Sequence, residues 1–158
     1  MAGVMEIDDL LIPRGVIAQL RVGNKKQALQ EIARRAATMT GLAERRIYEV
    51  LAERERQGST GIGQGIAIPH GKLAELPRLY GLFARLERPI PFEAIDDKPI
   101  DLAFVLLAPA ASGAEHLRAL ARVSRLLRDG AICQKLRGTD SADALYALLT
   151  DRTESHAA

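Results

Sequence analysis

The chain has 158 residues, 47% hydrophobic and 27% charged, and its 22 Lys+Arg against 20 Asp+Glu leave a net charge of +2. This is the composition of one globular domain, able to bury about two-thirds of its unfolded surface without a covalent staple. It argues against a nucleic-acid platform, which needs a concentrated basic face and stacking aromatics where this chain is 4% aromatic with no Trp, and against a membrane span, which needs about 20 consecutive apolar residues.

Met1–Asp9 carries Glu6, Asp8 and Asp9 where a secretory signal would be basic and then apolar, so the expected compartment is the cytoplasm. Ile7–Ile12 reads as a short apolar turn closed by Pro13, and Gly15–Val22 as the first strand, ending at Gly23 and Asn24. Asn24 with Gln27 three residues on makes a capping box for a helix carrying Ala28, Leu29, Ile32 and Ala36, stopped at Thr40 and Gly41. A second helix follows at once, with Ile47, Val50 and Leu51 as its apolar stripe. Four glycines among the eight residues Gly58–Gly65 end it.

Three strand candidates come next, Gly65–Ile68, Tyr80–Leu86 and Ile100–Leu107. The last is almost continuously apolar, as a central strand covered on both faces should be. Ser112 and Glu115 have the spacing of a second capping box, opening a third long helix with Leu120, Val123 and Leu127 on one side. Shorter helices, Ile132–Leu136 and Ser141–Leu149, close the chain. The lone Cys133 has no partner for an internal disulfide and reads as a small buried hydrophobe in a reducing compartment. The expected fold is therefore α/β, a single domain over 1–150 with a mixed central sheet flanked by helices, and a flexible polar tail at 151–158.

The glycine stretch invites nucleotide-binding readings that fail on inspection. Gly61, Gly63 and Gly65 do not have the G-x-G-x-x-G spacing, and a strand follows them where a dinucleotide site needs a helix N-terminus. Gly65 to Lys72 is one residue too long for a P-loop, with Leu73 where a Mg-binding hydroxyl belongs.

His70 carries more information. It follows the apolar run Ile66-Ala67-Ile68, with Pro69 before it and Gly71 after. Pro69 pushes Ile68 toward extended geometry, and Gly71 lets the chain turn without crowding the imidazole. On the second helix the apolar stripe continues at helical spacing to Arg54, whose planar five-donor head matches phosphate oxygens. On the third helix His116 heads the inward series, in a first turn whose dipole favours anions and disfavours an imidazolium. Each also has a plain structural reading: Arg54 as a surface salt-bridger beside Glu53 and Glu55, His116 as a buried core-edge histidine.

The stretch Gly65-Ile66-Ala67-Ile68-Pro69-His70 resembles the phosphorylation signature of enzyme IIA, mannitol/fructose class, of the bacterial phosphotransferase system. The similarity runs from Ile7-Asp8-Asp9-Leu10-Leu11 to Ala144–Leu149. It is closest to the nitrogen-regulatory branch through Glu53-Arg54-Glu55, Gly58–Gly63 and Ala94-Ile95-Asp96. The resemblance implies a mixed sheet flanked by helices. It also implies a phosphoryl group taken on His70 from a small HPr-type phosphocarrier, Arg54 balancing its charge, and His116 hydrogen-bonding a phosphoryl oxygen. No cofactor, metal or nucleotide is implied.

Two uses of such a protein are then open. As a regulator it would bind or release target proteins according to the state of His70; as a transport intermediate it would pass the phosphoryl group to a fructose/mannitol-type permease. The chain has no membrane portion and no fused carrier domain, which is what a regulator is expected to show. A third reading, a metal-dependent hydrolase built on His70 and His116, lacks a carboxylate suitably placed to complete the site. Asp96, Asp97 and Asp101 read as a turn before the central strand.

Overall fold

The computed structural model describes residues 5–151, so the tail expected at 151–158 lies outside the described residues from 152 onward. After a short 3-10 turn at Ile7–Asp9 come β1 (Leu11–Leu20), α1 (Lys25–Thr40) and α2 (Glu44–Arg56). Next come β2 (Gly61–Gly63), β3 (Ile66–Ala67), β4 (His70–Leu73), β5 (Tyr80–Ile90) and β6 (Ile100–Pro109), and then α3 (Ala114–Leu127), α4 (Gly130–Arg137) and α5 (Ala142–Leu149).

The strands form one mixed sheet in the order β1-β5-β6-β3-β2. β6 is its spine. It runs antiparallel to β5 from Tyr80↔Leu107 to Ile90↔Ile100, and its other edge holds β3 and then β4, both parallel. Every second side chain of β6 faces one helical layer: Leu102, Phe104, Leu106 and Ala108 pack with Val123, Leu127, Ile132 and Leu145 of α3–α5. Val105 and Leu107 face Leu29, Ile32, Ile47 and Leu51 of α1 and α2. A strand buried on both faces needs apolar residues in both phases, which accounts for the continuous run seen there.

Several sequence expectations are corrected. The first strand begins at Leu11 and includes Pro13, which an edge strand tolerates because its N–H side lacks a ladder partner. The glycine-rich segment is not merely a helix stop, since Gly61–Gly63 makes the hairpin strand β2 against β3. His70 does not end a strand; it begins β4. Pro69 has no N–H to donate, so the ladder along β6 breaks between Ala67 and His70 and resumes in register at His70↔Leu106. Asp101 lies within β6 and pairs with Arg137 at 2.9 Å, whereas Asp96 does organise the turn by accepting from Gln64 N and Lys98 N.

The two capping boxes fare differently. Asn24 Oδ1 accepts from Gln27 N at 2.9 Å, and Gln27 Oε1 reaches one residue further back than expected, to Gly23 N at 2.8 Å. Removing this cap in Asn24→Ala should cost about 1 kcal/mol in urea denaturation with an unchanged m-value. The Ser112 box does not form: Gly113 occupies the cap position in a backbone conformation with φ 51°, and Ser112 Oγ is buried with no partner among the described residues.

Carbonyls at both margins of the sheet are engaged, by side chains at one and by a backbone amide at the other. Carbonyls of Arg14 and Val16 on β1 accept from Arg35 Nη1, and that of Ala18 from Arg85 Nη1. On the opposite margin, Gly61 O accepts from Ile95 N.

Candidate functional site

α2 lies across β4 because residue 71 is glycine. A Cβ there would stand 2.4 Å from Val50 Cγ1, so any larger residue would push the helix away from the strand. This contact brings the last turn of α2, with Arg54, over the first residue of β4, with His70. The N-terminal turn of α3 supplies His116 from the third side. The three residues that the sequence singled out therefore meet.

His70 Nδ1 lies 2.8 Å from Ile68 O. A carbonyl accepts and cannot donate, so Nδ1 carries the proton and Nε2 presents its lone pair. Arg54 Nε donates to that Nε2 at 3.3 Å, and Arg54 Nη1 donates to Gly58 O at 2.7 Å. Arg54 makes no ion pair among the described residues; it is the neighbouring Arg56 that pairs with Glu53. The rings of His70 and His116 are 5.5 Å apart, tilted by 51°. His116 is 6% exposed, and its buried Nδ1 has no partner among the described residues.

These groups line an open cleft of 640 Å³ whose rim carries Arg46, Arg54, Arg56 and Lys72 against Glu49 and Glu53. Arg46 is spent on Glu75 and Arg56 on Glu53, which leaves Arg54 as a cation directed at the imidazole. Among the described residues no group of three or more His, Cys, Asp or Glu is placed to hold a metal ion.

Burial pushes the pKa of His70 down from 6.5, and the Arg54 charge adds to this against an opposing backbone hydrogen bond and the Glu55 carboxylate. Burial, then the nearby charges of His70 and Lys72, lower His116 as well. Both rings are therefore neutral at pH 7, the state in which His70 is a nucleophile. Because the folded state resists protonation more than the unfolded chain does, these histidines cost stability as pH falls below 6.5 through their depressed values, and cost nothing above it. Any reaction that uses the His70 lone pair should decline only on the acid side, with its midpoint below the 6.5 of an ordinary imidazole, which a pH–rate series from 5 to 8 reads directly.

One residue of the site was missed. Glu55, next to Arg54, is 8% exposed. Both its oxygens accept from Thr60 N at 3.0–3.1 Å, its carboxylate also takes the Thr60 hydroxyl, and Lys25 Nζ of α1 stands 3.1 Å away. The signal was available, since Ile47, Leu51 and Glu55 are spaced by four on the buried side of α2.

The chain belongs to the phosphotransferase-system enzyme IIA family: the family described as phosphoenolpyruvate-dependent sugar phosphotransferase system, EIIA 2, matches residues 10–152. Within it the chain falls in the nitrogen-regulatory branch. It is 54% identical over 145 residues to a nitrogen regulatory protein of Bradyrhizobium diazoefficiens, covering 92% of this chain and 95% of that one. The crystal structure of nitrogen regulatory protein IIA-Ntr from Neisseria meningitidis matches with a TM-score of 0.86 at 35% identity, over 91% of this chain and 99% of the other. IIA mannitol from Escherichia coli, at 19% identity and a TM-score of 0.73 over 86% and 96% of the two chains, shares the fold. Among the described residues no helix is long and apolar enough to cross a membrane.

Proposed function

We propose that this protein is a cytoplasmic phosphoacceptor that takes a phosphoryl group on His70 Nε2 from an HPr-type phosphocarrier and regulates target proteins according to whether His70 is phosphorylated. The observation that carries the reading is the Nδ1–H bond to Ile68 O, which directs the lone pair of Nε2 toward the cleft, between Arg54 and His116. In the transfer, the Nε2 lone pair forms the new N–P bond as the N–P bond of the carrier's phosphohistidine breaks, and the carrier's imidazole leaves with that electron pair. Such a transition state is loose, so positioning and charge balance supply most of the catalysis. Arg54 exchanges its bond to Nε2 for the phosphoryl oxygens, and neutral His116 donates one hydrogen bond to them.

The regulatory role is supported by the nitrogen-regulatory names of the relatives at 54% and 35% identity. Incubation with phosphoenolpyruvate, enzyme I and an HPr-type carrier should add the mass of one phosphate in acid-labile form. Failure of the wild-type chain to accept it would overturn the assignment. Rapid onward transfer from phosphorylated His70 to a fructose/mannitol-type permease would replace regulation by sugar transport.

A further inference from the structure

We propose that Glu55 is a positioning residue for phosphoryl transfer, its buried carboxylate holding the acceptor histidine through Thr60 while its main-chain carbonyl braces the turn that holds the arginine. The proposal rests on His70 being the acceptor.

The argument follows a continuous set of bonds. Glu55 grips Thr60 through backbone and hydroxyl. Thr60 O accepts from Ile68 N at 2.9 Å, and Ile68 O in turn holds the His70 Nδ1 proton at 2.8 Å. The tautomer and the aim of the nucleophile are thus set three links away from a carboxylate that never touches it. In the other direction, Glu55 O accepts from Gly58 N at 3.1 Å, and Gly58 O takes Arg54 Nη1 at 2.7 Å, so the same turn fixes the arginine.

A carboxylate buried this deeply is costly unless it is paired, and unpairing one side leaves an uncompensated charge. Lys25 supplies the pair from the first turn of α1. It is itself steadied by Glu93 at 3.3 Å and by the Phe92 ring, whose centroid is 4.8 Å away. A surface salt bridge would have no need of such a setting. The titratable groups around His70 are Arg54 and Glu55 from α2, Lys72 from β4 and the neutral His116 from α3, with Arg46, Glu49, Glu53 and Arg56 of α2 on the cleft rim, and Glu55 is the side chain that favours its protonation.

Glu55→Gln tests this. The amide nitrogen cannot accept from Thr60 or Lys25, so the turn loosens while the side chain keeps its size. Transfer from an HPr-type carrier should slow by about 10- to 100-fold at saturating carrier, with the half-saturating carrier concentration unchanged because Glu55 is buried away from the docking face. In the unphosphorylated protein, nitrogen NMR should show His70 titrating at lower pH than in wild type and losing its fixed Nδ1–H tautomer. Loss of the Glu55 charge alone lowers the titration, so the discriminating readouts are rate and tautomer: a purely structural role would lower the melting temperature and leave the transfer rate and the Nδ1–H tautomer in place. Thr60→Ala, which keeps the Glu55–Lys25 pair, should lose rate and fixed tautomer as well and serves if Glu55→Gln does not fold. Folded variants with wild-type rate and tautomer would overturn the proposal. Wild-type protein that takes no phosphate would overturn the acceptor reading, while the NMR measurements still report on the positioning.

Discussion

His70→Ala should lose phosphorylation entirely, with no acid-labile mass gain after prolonged incubation with phosphoenolpyruvate, enzyme I and carrier. The chain has three histidines. Among the described residues the site's other histidine is His116, 94% buried, and its pKa is lowered by desolvation. Both histidines line the open cleft, but His70 is the more exposed of the two and so the one offered to a carrier's phosphohistidine. The fold should survive, because the imidazole makes side-chain bonds to Arg54 and Ile68 O and contributes little to the apolar core. A phosphate found on the His70→Ala protein would move the acceptor to another residue.

Arg54→Ala should slow transfer by about 100- to 1000-fold, the usual consequence of removing one preorganised donor from developing charge. The variant carries a second signature. Arg54 is one of the causes that depress the His70 pKa, so its removal should shift the acid limb of the pH–rate profile upward, opposite to the shift expected for Glu55→Gln. Stability should change by about 1 kcal/mol, through the lost bond to Gly58 O. Lysine should rescue incompletely, since a point charge on a flexible stem does not reproduce the planar fork. Unchanged kinetics would remove Arg54 from the site.

Much of this was legible in the chain, and the failures have physical causes. The central strand could be read because burial on both faces demands apolar residues in both phases. Arg54 and His116 could be placed inward because helical phase carries from the apolar residues to the polar ones beside them. β2 and β4 were not legible. β4 is held by β6, far along the chain, and strands of three and four residues show no periodicity of their own. Glu55 was passed over because a carboxylate flanked by charged residues looks solvated, and only Thr60 and Lys25, brought in by the fold, reveal it as buried. The Ser112 box failed because Gly113 took the cap position that the spacing assigned to the serine.

The sheet margins bear on how other proteins meet this one. An exposed strand edge is a template on which another chain can add a strand, or on which copies aggregate. Here guanidinium groups occupy the carbonyls of β1, Pro13 interrupts its donors, and the Ile95 amide occupies Gly61 at the far margin. Strand addition is thereby hindered along β1 and at Gly61 of β2. A phosphoryl group on His70, as proposed, would instead place a dianion in a cleft whose rim carries Arg46, Arg54, Arg56 and Lys72 against Glu49 and Glu53, a large change in the charge that a docking protein can read.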